Sequence, residues 1–290
     1  MSVTARPAPT GPPPRRGRRR LVCTAVAAGV VVVLGGVAVA GIRTWWDDGT
    51  LAARIDPGCR AGGFEISTDQ AVVAADLVSV VVSRGLPARA STLLITAGIQ
   101  ESKLRNIAAG AGDRDSVGVL QQRPSQGWGT AEQLADPVFA AGAFLDAVVK
   151  VPGWETEPAA DVIQAVQISI DGSLYAEHEP EGEAIADALD GTAPAGLTCR
   201  FAAPTEVATA QTLAAQVEQA LPVATPVAEG GAVTVPGAGW PTAAWFVANG
   251  DRLGIERVEV AGRTWTRAAG WDGGGGSVTD GVRATLATVD

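Results

Sequence analysis

The residues best suited to chemistry lie between positions 95 and 126, in the sequence ITAGIQESKLRNIAAGAGDRDSVGVLQQRPSQ. Glu101 follows the apolar stretch 93–99 and precedes a Gly-rich loop. A carboxyl at the exit of a buried helix is partly desolvated, which raises its pKa and lets it act as a general acid near neutral pH. Glu101 is therefore a candidate general acid. The alternative is an ordinary surface Glu at a helix end.

Other catalytic side chains are scarce. The 290 residues include 1 His and 3 Cys, against 31 Asp+Glu. An imidazole zinc centre needs several His, and a Ser or Cys nucleophile needs a base within reach, so the single His178 disfavours both chemistries. His178 itself is expected to be a solvated residue near a helix end. We expect no metal and no cofactor, and acid/base chemistry by carboxyl groups.

Glu101 lies in the first of two short motifs that resemble those of a known superfamily. Gln100-Glu101-Ser102 and, further along, the run from Ser116 to Gln121 resemble the Glu-Ser and Gly-Leu-Met-Gln motifs of the lysozyme-like soluble lytic transglycosylase superfamily. Continued through Asp136-Pro137, the segment is similar to membrane-anchored lysozyme-like proteins of high-GC Gram-positive bacteria. The resemblance covers about residues 60–200.

The resemblance implies that Glu101 protonates the glycosidic oxygen of a β-1,4-linked glycan such as peptidoglycan. The same carboxyl would then act as a base while the 6-hydroxyl of the substrate closes an anhydro ring. A hydrolase would need a second carboxylate about 5 to 9.5 Å away. Asp113 and Asp115 are the candidates, with Asx turns that cap the loop as the alternative for both.

The residues expected to bind the sugar have neutral polar or aromatic side chains, and they are Ser102, Gln121, Gln122, Gln126, Trp128 and Tyr175. Amides both donate and accept hydrogen bonds, as a sugar cleft requires. An aromatic ring can stack on a sugar face, although packing is the usual role of Trp. Ser102 is expected to orient Glu101. Tyr175 stands where the family has a Tyr-containing third motif, but Leu174-Tyr175-Ala176 replaces the usual Ala-Tyr-Asn order.

The elements that position these residues are predicted to be helices. Ser67 and Gln70 form a capping box before a predicted helix over 71–84. Pro87 suits the first turn of a second helix over 88–102, which carries Glu101. Gly and charged residues over 108–118 predict a loop. Similar start signals predict helices over 137–151, 158–170, 183–189 and 205–220.

The N-terminal region predicts a membrane anchor. Residues 1–20 contain six Arg and no acidic residue, and residues 21–42 contain one polar side chain, Thr24. At 1.5 Å per residue, these 22 residues span roughly 33 Å, enough to cross a bilayer. Because the Arg cluster precedes the span, we expect a cytoplasmic N-terminus and an extracytoplasmic body. A signal peptide cleaved after Ala38-Val39-Ala40 is the alternative.

Cys59 and Cys199 are the cysteines expected outside the cytoplasm. Because thiols tend to oxidise there, we predict a disulfide between them, across a sequence separation of 140 residues. Such a bond would stabilise the domain by about 3 to 5 kcal/mol on the loop-entropy model. The alternative is two unpaired buried thiols.

These observations predict a mainly α protein: a lysozyme-like helical domain after a single N-terminal transmembrane helix, plus a small α+β C-terminal module. The predicted parts are a disordered basic cytoplasmic tail (1–20), the transmembrane helix (21–42), a juxtamembrane segment (43–58), the lysozyme-like domain (59–200), a helix and flexible linker (201–239), and the accessory module (240–290). The module contains no His or Cys, so we expect it to be non-catalytic.

The favoured function is cleavage of peptidoglycan glycan strands, with Glu101 as general acid and base. The alternative is a catalytically inactive glycan-binding or scaffolding membrane protein. The expected partners are peptidoglycan strands and, through residues 21–42, the lipid bilayer. The whole chain carries −9 and its first 20 residues carry +6, which leaves −15 on the remainder. This negative charge argues against nucleic-acid binding, which depends on Lys and Arg.

Overall fold

The computed structural model describes residues 57–288, except for 169–170, 222–224, 275, 277 and 279. The tail and transmembrane helix predicted over 1–42 lie outside these residues. Within the described part of the chain, no helix combines the length and apolar character needed to cross a bilayer. The helices are α1 (Thr68–Ser83), α2 (Ala88–Ser102), α3 (Ala131–Leu134), α4 (Pro137–Val148), α5 (Ala159–Gln167), α6 (Ser173–Asp190), α7 (Ala210–Ala220), α8 (Trp240–Ala248) and α9 (Gly250–Leu253).

The strands of the described residues form two antiparallel sheets. The first has the order β2-β1-β3 and the second the order β4-β5-β9-β6-β7-β8. The strands are β1 (Gly58–Ala61), β2 (Phe64–Ile66), β3 (Leu197–Arg200), β4 (Val227–Glu229), β5 (Ala232–Val235), β6 (Ile255–Val260), β7 (Arg263–Thr266), β8 (Gly270–Trp271) and β9 (Val282–Leu286).

Helices α1 and α2 follow from the local signals of the sequence. Ser67 Oγ accepts the backbone N–H of Gln70 at 3.2 Å, and the side chain of Gln70 accepts the backbone N–H of Ser67 at 2.8 Å. This reciprocal pair is the predicted capping box, and α1 begins directly after it. The predicted helix over 88–102 is confirmed, with Pro87 as its N-cap.

Helix α6 packs against α2 at a glycine. A Cβ atom at Gly182 would lie 2.1 Å from Thr96 Oγ1 and 3.0 Å from Thr96 Cα, so a side chain here would push the two helices apart. The helix is much longer than the predicted 183–189, because it continues through Pro180 in its interior. A proline removes one helical hydrogen bond and is read as a helix breaker. Packing on α2 compensates for that loss.

The first sheet joins the two ends of the helical region. Strands β1 and β3 are antiparallel neighbours with Cys59 opposite Cys199. The predicted disulfide is present, with its sulfur atoms 2.05 Å apart and both cysteines buried. It fixes β1, before α1, to β3, after α6.

The second sheet begins inside the segment for which a flexible linker is predicted. Strands β4 and β5 pair through a turn at Gly230 and Gly231, both with positive φ. Two glycines between apolar residues suit a tight hairpin, because both central turn positions need left-handed backbone. On the core side of the sheet, Val258 pairs with Trp265 and Ala284, all of them buried.

The mainly α fold class predicted from the sequence is wrong: the described residues form a mixed α/β fold with two antiparallel sheets. The strands of the first sheet contain three or four residues each. Alternation over so few residues is too short to recognise in a sequence. In addition, β1 and β3 are separated in the sequence by helices α1 to α6. No pattern among neighbouring residues can therefore predict that the two strands pair.

Candidate active site at the end of helix α2

Glu101 lies in the last turn of α2, half-buried and facing α6. The hydroxyl of Tyr175 donates a hydrogen bond to Glu101 Oε1 at 2.6 Å. Tyr175 is buried, with 1% of its surface exposed. Because Gly182 lets α6 approach α2 closely, Tyr175 reaches a carboxyl 74 residues earlier in the chain.

The surroundings of Glu101 favour its protonated form. Burial raises the pKa of Glu101 above its usual 4.5, and hydrogen bonds from Tyr175 and then Gln167 lower it by less. A general acid must carry its proton near the working pH, and the raised pKa serves that requirement. The two donors also stabilise the carboxylate that remains after the proton is transferred.

Gln167, the last residue of α5, is a site residue that sequence analysis does not identify. Its Nε2 donates to the backbone oxygen of Leu120 at 3.0 Å, and its amide, acting as a donor toward Glu101, lowers the pKa of that carboxyl. Gln167 therefore lies between the carboxyl and the loop that precedes Gln121. The sequence offers no signal for this role, since one Gln at the end of an amphipathic helix is unremarkable and its partners are 47 and 66 residues away.

Ser102 fastens the end of α2 to the same loop. Its Oγ lies 2.7 Å from the backbone oxygen of Val119 and 3.1 Å from that of Gly98, and it accepts the backbone N–H of Arg105 at 3.1 Å. Ser102 is 7% exposed, so its hydroxyl serves the protein backbone. The structure therefore places it as a positioning residue next to Glu101.

The predicted sugar-binding glutamines occupy different environments. Gln121 is half-buried next to the loop, with its Nε2 donating to the backbone oxygen of Gly118 at 2.8 Å. Gln122 is 2% exposed and donates to the backbone oxygen of Ala140 at 3.3 Å, which makes it part of the core. Gln126 is exposed at the end of a short turn over 124–126. Of these glutamines, Gln121 directly follows Val119 and Leu120, the two loop residues whose backbone oxygens accept from Ser102 and Gln167.

Trp128 is partly buried and packs against the hydrophobic core. This position agrees with a packing role for Trp128, which is the usual role of Trp, and not with stacking on a sugar.

Asp115 holds the loop together. It accepts the backbone N–H of Ser125 at 2.8 Å and pairs with Arg123 Nε at 3.0 Å. Hydrogen bonds from Ser125 and from Arg123 lower the pKa of Asp115 to about 2. Asp113 is exposed and lies 3.9 Å from Arg114 Nε. Both carboxylate oxygens of Asp115 are therefore engaged by residues eight and ten positions further along the chain, and not in the local Asx turn that was the alternative.

Left-handed backbone concentrates around Glu101. Four non-glycine residues of the site region have positive φ, namely Lys103 (57°), Leu104 (54°), Gln121 (48°) and Ile168 (53°). Each follows within three residues of Glu101, of Leu120 or of Gln167. Such conformations cost of order 1 to 3 kcal/mol each and are often found at functional sites. Here Gln70 Nε2 helps to hold the strained turn, by donating to the backbone oxygen of Lys103 at 2.7 Å.

The arrangement is a partly desolvated carboxylic acid, held by two neutral donors, beside a rigid loop. It can donate a proton and take one back. No protein-family model matches the chain, and no curated protein is similar to it in sequence. The chemistry of the site must therefore be judged from its own geometry and from the motifs around Glu101.

Proposed function

We propose that the protein cleaves the glycan strands of peptidoglycan, with Glu101 as general acid and then general base. The observation that carries this proposal is the half-buried Glu101 carboxyl, with its raised pKa and its 2.6 Å hydrogen bond from Tyr175. The resemblance of the Glu101-Ser102 and Gly118 to Gln121 motifs to the lytic transglycosylase superfamily supports it. The disulfide supports a location outside the cytoplasm, where peptidoglycan lies.

In the proposed reaction, the Glu101 carboxyl gives its proton to the glycosidic oxygen as the bond from that oxygen to C1 breaks. The positive charge that develops on the sugar lies beside the new carboxylate. Tyr175 and Gln167 donate hydrogen bonds to this carboxylate. It then takes the proton of the sugar's own 6-hydroxyl while that oxygen bonds to C1. The product is an anhydro sugar, no water is consumed, and Glu101 regains its proton.

The route with a single carboxylate is favoured over hydrolysis, because neither Asp113 nor Asp115 is placed as a free second carboxylate. Asp115 is committed to Ser125 and Arg123, and Asp113 is exposed beside Arg114. A hydrolase needs a second carboxylate free to activate water or to trap the sugar.

The test is to incubate the purified full chain with peptidoglycan and to identify the soluble products by mass spectrometry. We expect anhydro ends from the wild type and none from Glu101→Gln. Glu218→Gln, which changes an exposed Glu on α7, is the matched control and should keep full activity. Reducing ends would replace the transglycosylase route by hydrolysis. Equal binding of wild type and Glu101→Gln without product from either would favour the inactive glycan-binding alternative.

A further inference from the structure

Two basic residues follow Glu101 directly and have rigid backbones. The N–H of Lys103 donates to the backbone oxygen of Ile99 at 2.9 Å, and its own carbonyl accepts from Gln70 at 2.7 Å. The N–H of Arg105 donates to Ser102 Oγ at 3.1 Å. Both side chains are exposed. The structure therefore fixes the backbones of two cationic residues beside the candidate acid.

The single histidine of the chain faces the first of them. Lys103 Nζ lies 3.5 Å from His178 Nε2. His178 is on α6, three residues after Tyr175, and so about one helical turn beyond the group that binds Glu101. An ammonium group and an imidazole are thus placed together one turn from the reacting carboxyl.

Lys103 and Arg105 differ from the neighbouring arginines, because those arginines are paired with carboxylates. Between residues 57 and 168, five arginines have a carboxylate oxygen within 4 Å, in the pairs Arg60–Glu65, Arg84–Asp146, Arg89–Glu179, Arg114–Asp113 and Arg123–Asp115. Within the described residues, Lys103 and Arg105 have no such partner. Two cations without a carboxylate partner keep charged hydrogen-bond donors that an anion can occupy.

Resting on the proposed function, we infer that Lys103, Arg105 and His178 form a subsite for a carboxylate of the substrate. The protein would thereby select glycans that carry carboxylates over neutral β-1,4-linked glycans. Lys offers three donors and the Arg guanidinium offers five, and both make charge-assisted hydrogen bonds to carboxylates. In peptidoglycan, the carboxylate comes either from the stem peptide or from an unsubstituted lactyl group. A polymer of N-acetylglucosamine alone has neither.

Binding can be measured apart from cleavage by using the full chain with Glu101→Gln. Calorimetry would compare three oligosaccharides of equal length: one with stem peptides, one with free lactyl carboxylates, and one of N-acetylglucosamine only. Lys103→Met keeps the length of the side chain and removes its charge. Lys150→Met is the matched control, since Lys150 is exposed at the end of α4, away from this subsite in the sequence.

We expect Lys103→Met to weaken binding of a carboxylated ligand by about two- to fivefold, the range of an exposed ion pair, and to leave the neutral ligand unchanged. The carboxylated ligand that loses affinity identifies the source of the carboxylate. Added salt should reduce the difference between the carboxylated and neutral ligands. Lys150→Met should change none of these affinities.

Equal effects of Lys103→Met on charged and neutral ligands, or no effect on either, would overturn the subsite. If the wild type also cleaved peptidoglycan, the proposed function would stand without it. A wild-type protein that cleaved no glycan would overturn the proposed function, and the subsite with it if the carboxylated ligands bound no better than the neutral one.

Discussion

Two half-buried carboxyl groups, Glu101 at the end of α2 and Asp76 in the middle of α1, have their pKa values raised by the same main cause, burial. Their surroundings differ. The pKa of Glu101 is lowered in part by the neutral donors Tyr175 and Gln167. For Asp76, the positive charge of Arg252 on α9 offsets part of the effect of burial, and the negative charge of Asp136 adds to that effect. The pKa of Asp76 is about 6.

The difference shows that a raised pKa alone does not mark an active site. Arg252 donates to Gln216 on α7 at 2.7 Å and lies over the ring of Trp245 on α8. Asp76 therefore belongs to a junction where α1 meets the helices that cover the second sheet. Glu101 has in addition a strained, hydrogen-bonded backbone after it and a polar loop beside it. Those features distinguish the two carboxyl groups.

The largest expected difference between them is in catalysis. Glu101→Gln should reduce glycan cleavage by about 10²- to 10⁴-fold, the usual contribution of a general acid or base. Asp76→Asn should leave the rate within about twofold, since Asp76 contacts no part of the proposed site. Rates of release of soluble fragments from peptidoglycan would measure both. A comparable loss of cleavage rate in Glu101→Gln and Asp76→Asn would show that the two carboxyl groups do not differ in function.

The second difference is in stability. The native protein keeps a proton on Asp76 up to a pH of about 6, whereas the unfolded chain releases it near 3.8. Protonation therefore stabilises the native state, and the free energy of unfolding falls as the pH rises through this window. Asp76→Asn should remove this loss and stabilise the protein at pH 8 by about 2 to 3 kcal/mol, at 1.36 kcal/mol per pKa unit.

Chemical denaturation at pH 8 and at pH 3.5 would measure this effect. At the lower pH, Asp76 is mostly protonated in both states, so wild type and Asp76→Asn should be nearly equal in stability. Asp146→Asn is a useful control, because Asp146 forms an exposed ion pair with Arg84. The assignment would be contradicted if the stability of the wild type rose from pH 4 to pH 6 and that of Asp76→Asn rose with the same slope.

A smaller effect is expected from Tyr175→Phe. The hydroxyl of Tyr175 lowers the pKa of Glu101, so its removal should raise that pKa further. Because the reaction needs protonated Glu101, the fall of kcat/KM at high pH should move to higher pH in the variant. The lost hydrogen bond should also cost about 1 kcal/mol of stability. An unchanged pH profile with a lower rate would indicate a role in substrate binding instead.

The smallest effect is expected from Gln167→Met, which keeps the side-chain length and removes the amide. Gln167 lowers the pKa of Glu101 less than Tyr175 does, so the profile should move in the same direction by a smaller step. Gln219→Met, which changes an exposed Gln on α7, serves as a control and should leave the profile in place. A shift larger than that of Tyr175→Phe would reverse the ranking of the two donors.

Local signals in the sequence predicted α1 and α2, the second of which carries Glu101. The capping box of Ser67 and Gln70, and Pro87 before α2, work over three or four residues, so they can be read without knowledge of the fold. The sheets could not be predicted in the same way. The hairpin at Gly230 and Gly231 has the composition of a flexible linker, and only its pairing with β9 makes it part of a sheet.

The sequence by itself determined the candidate acid, the disulfide pair and the loop that follows Glu101, because each depends on residue type or on near neighbours. The tertiary structure alone decided which residues complete the site. Tyr175 reaches Glu101 because Gly182 brings α6 against α2, and Gln167 reaches it because α5 ends beside Leu120. It also assigned Asp115 to the loop and Gln122 to the core. Contacts across 47 to 74 residues depend on the packing of whole helices, which no local pattern encodes.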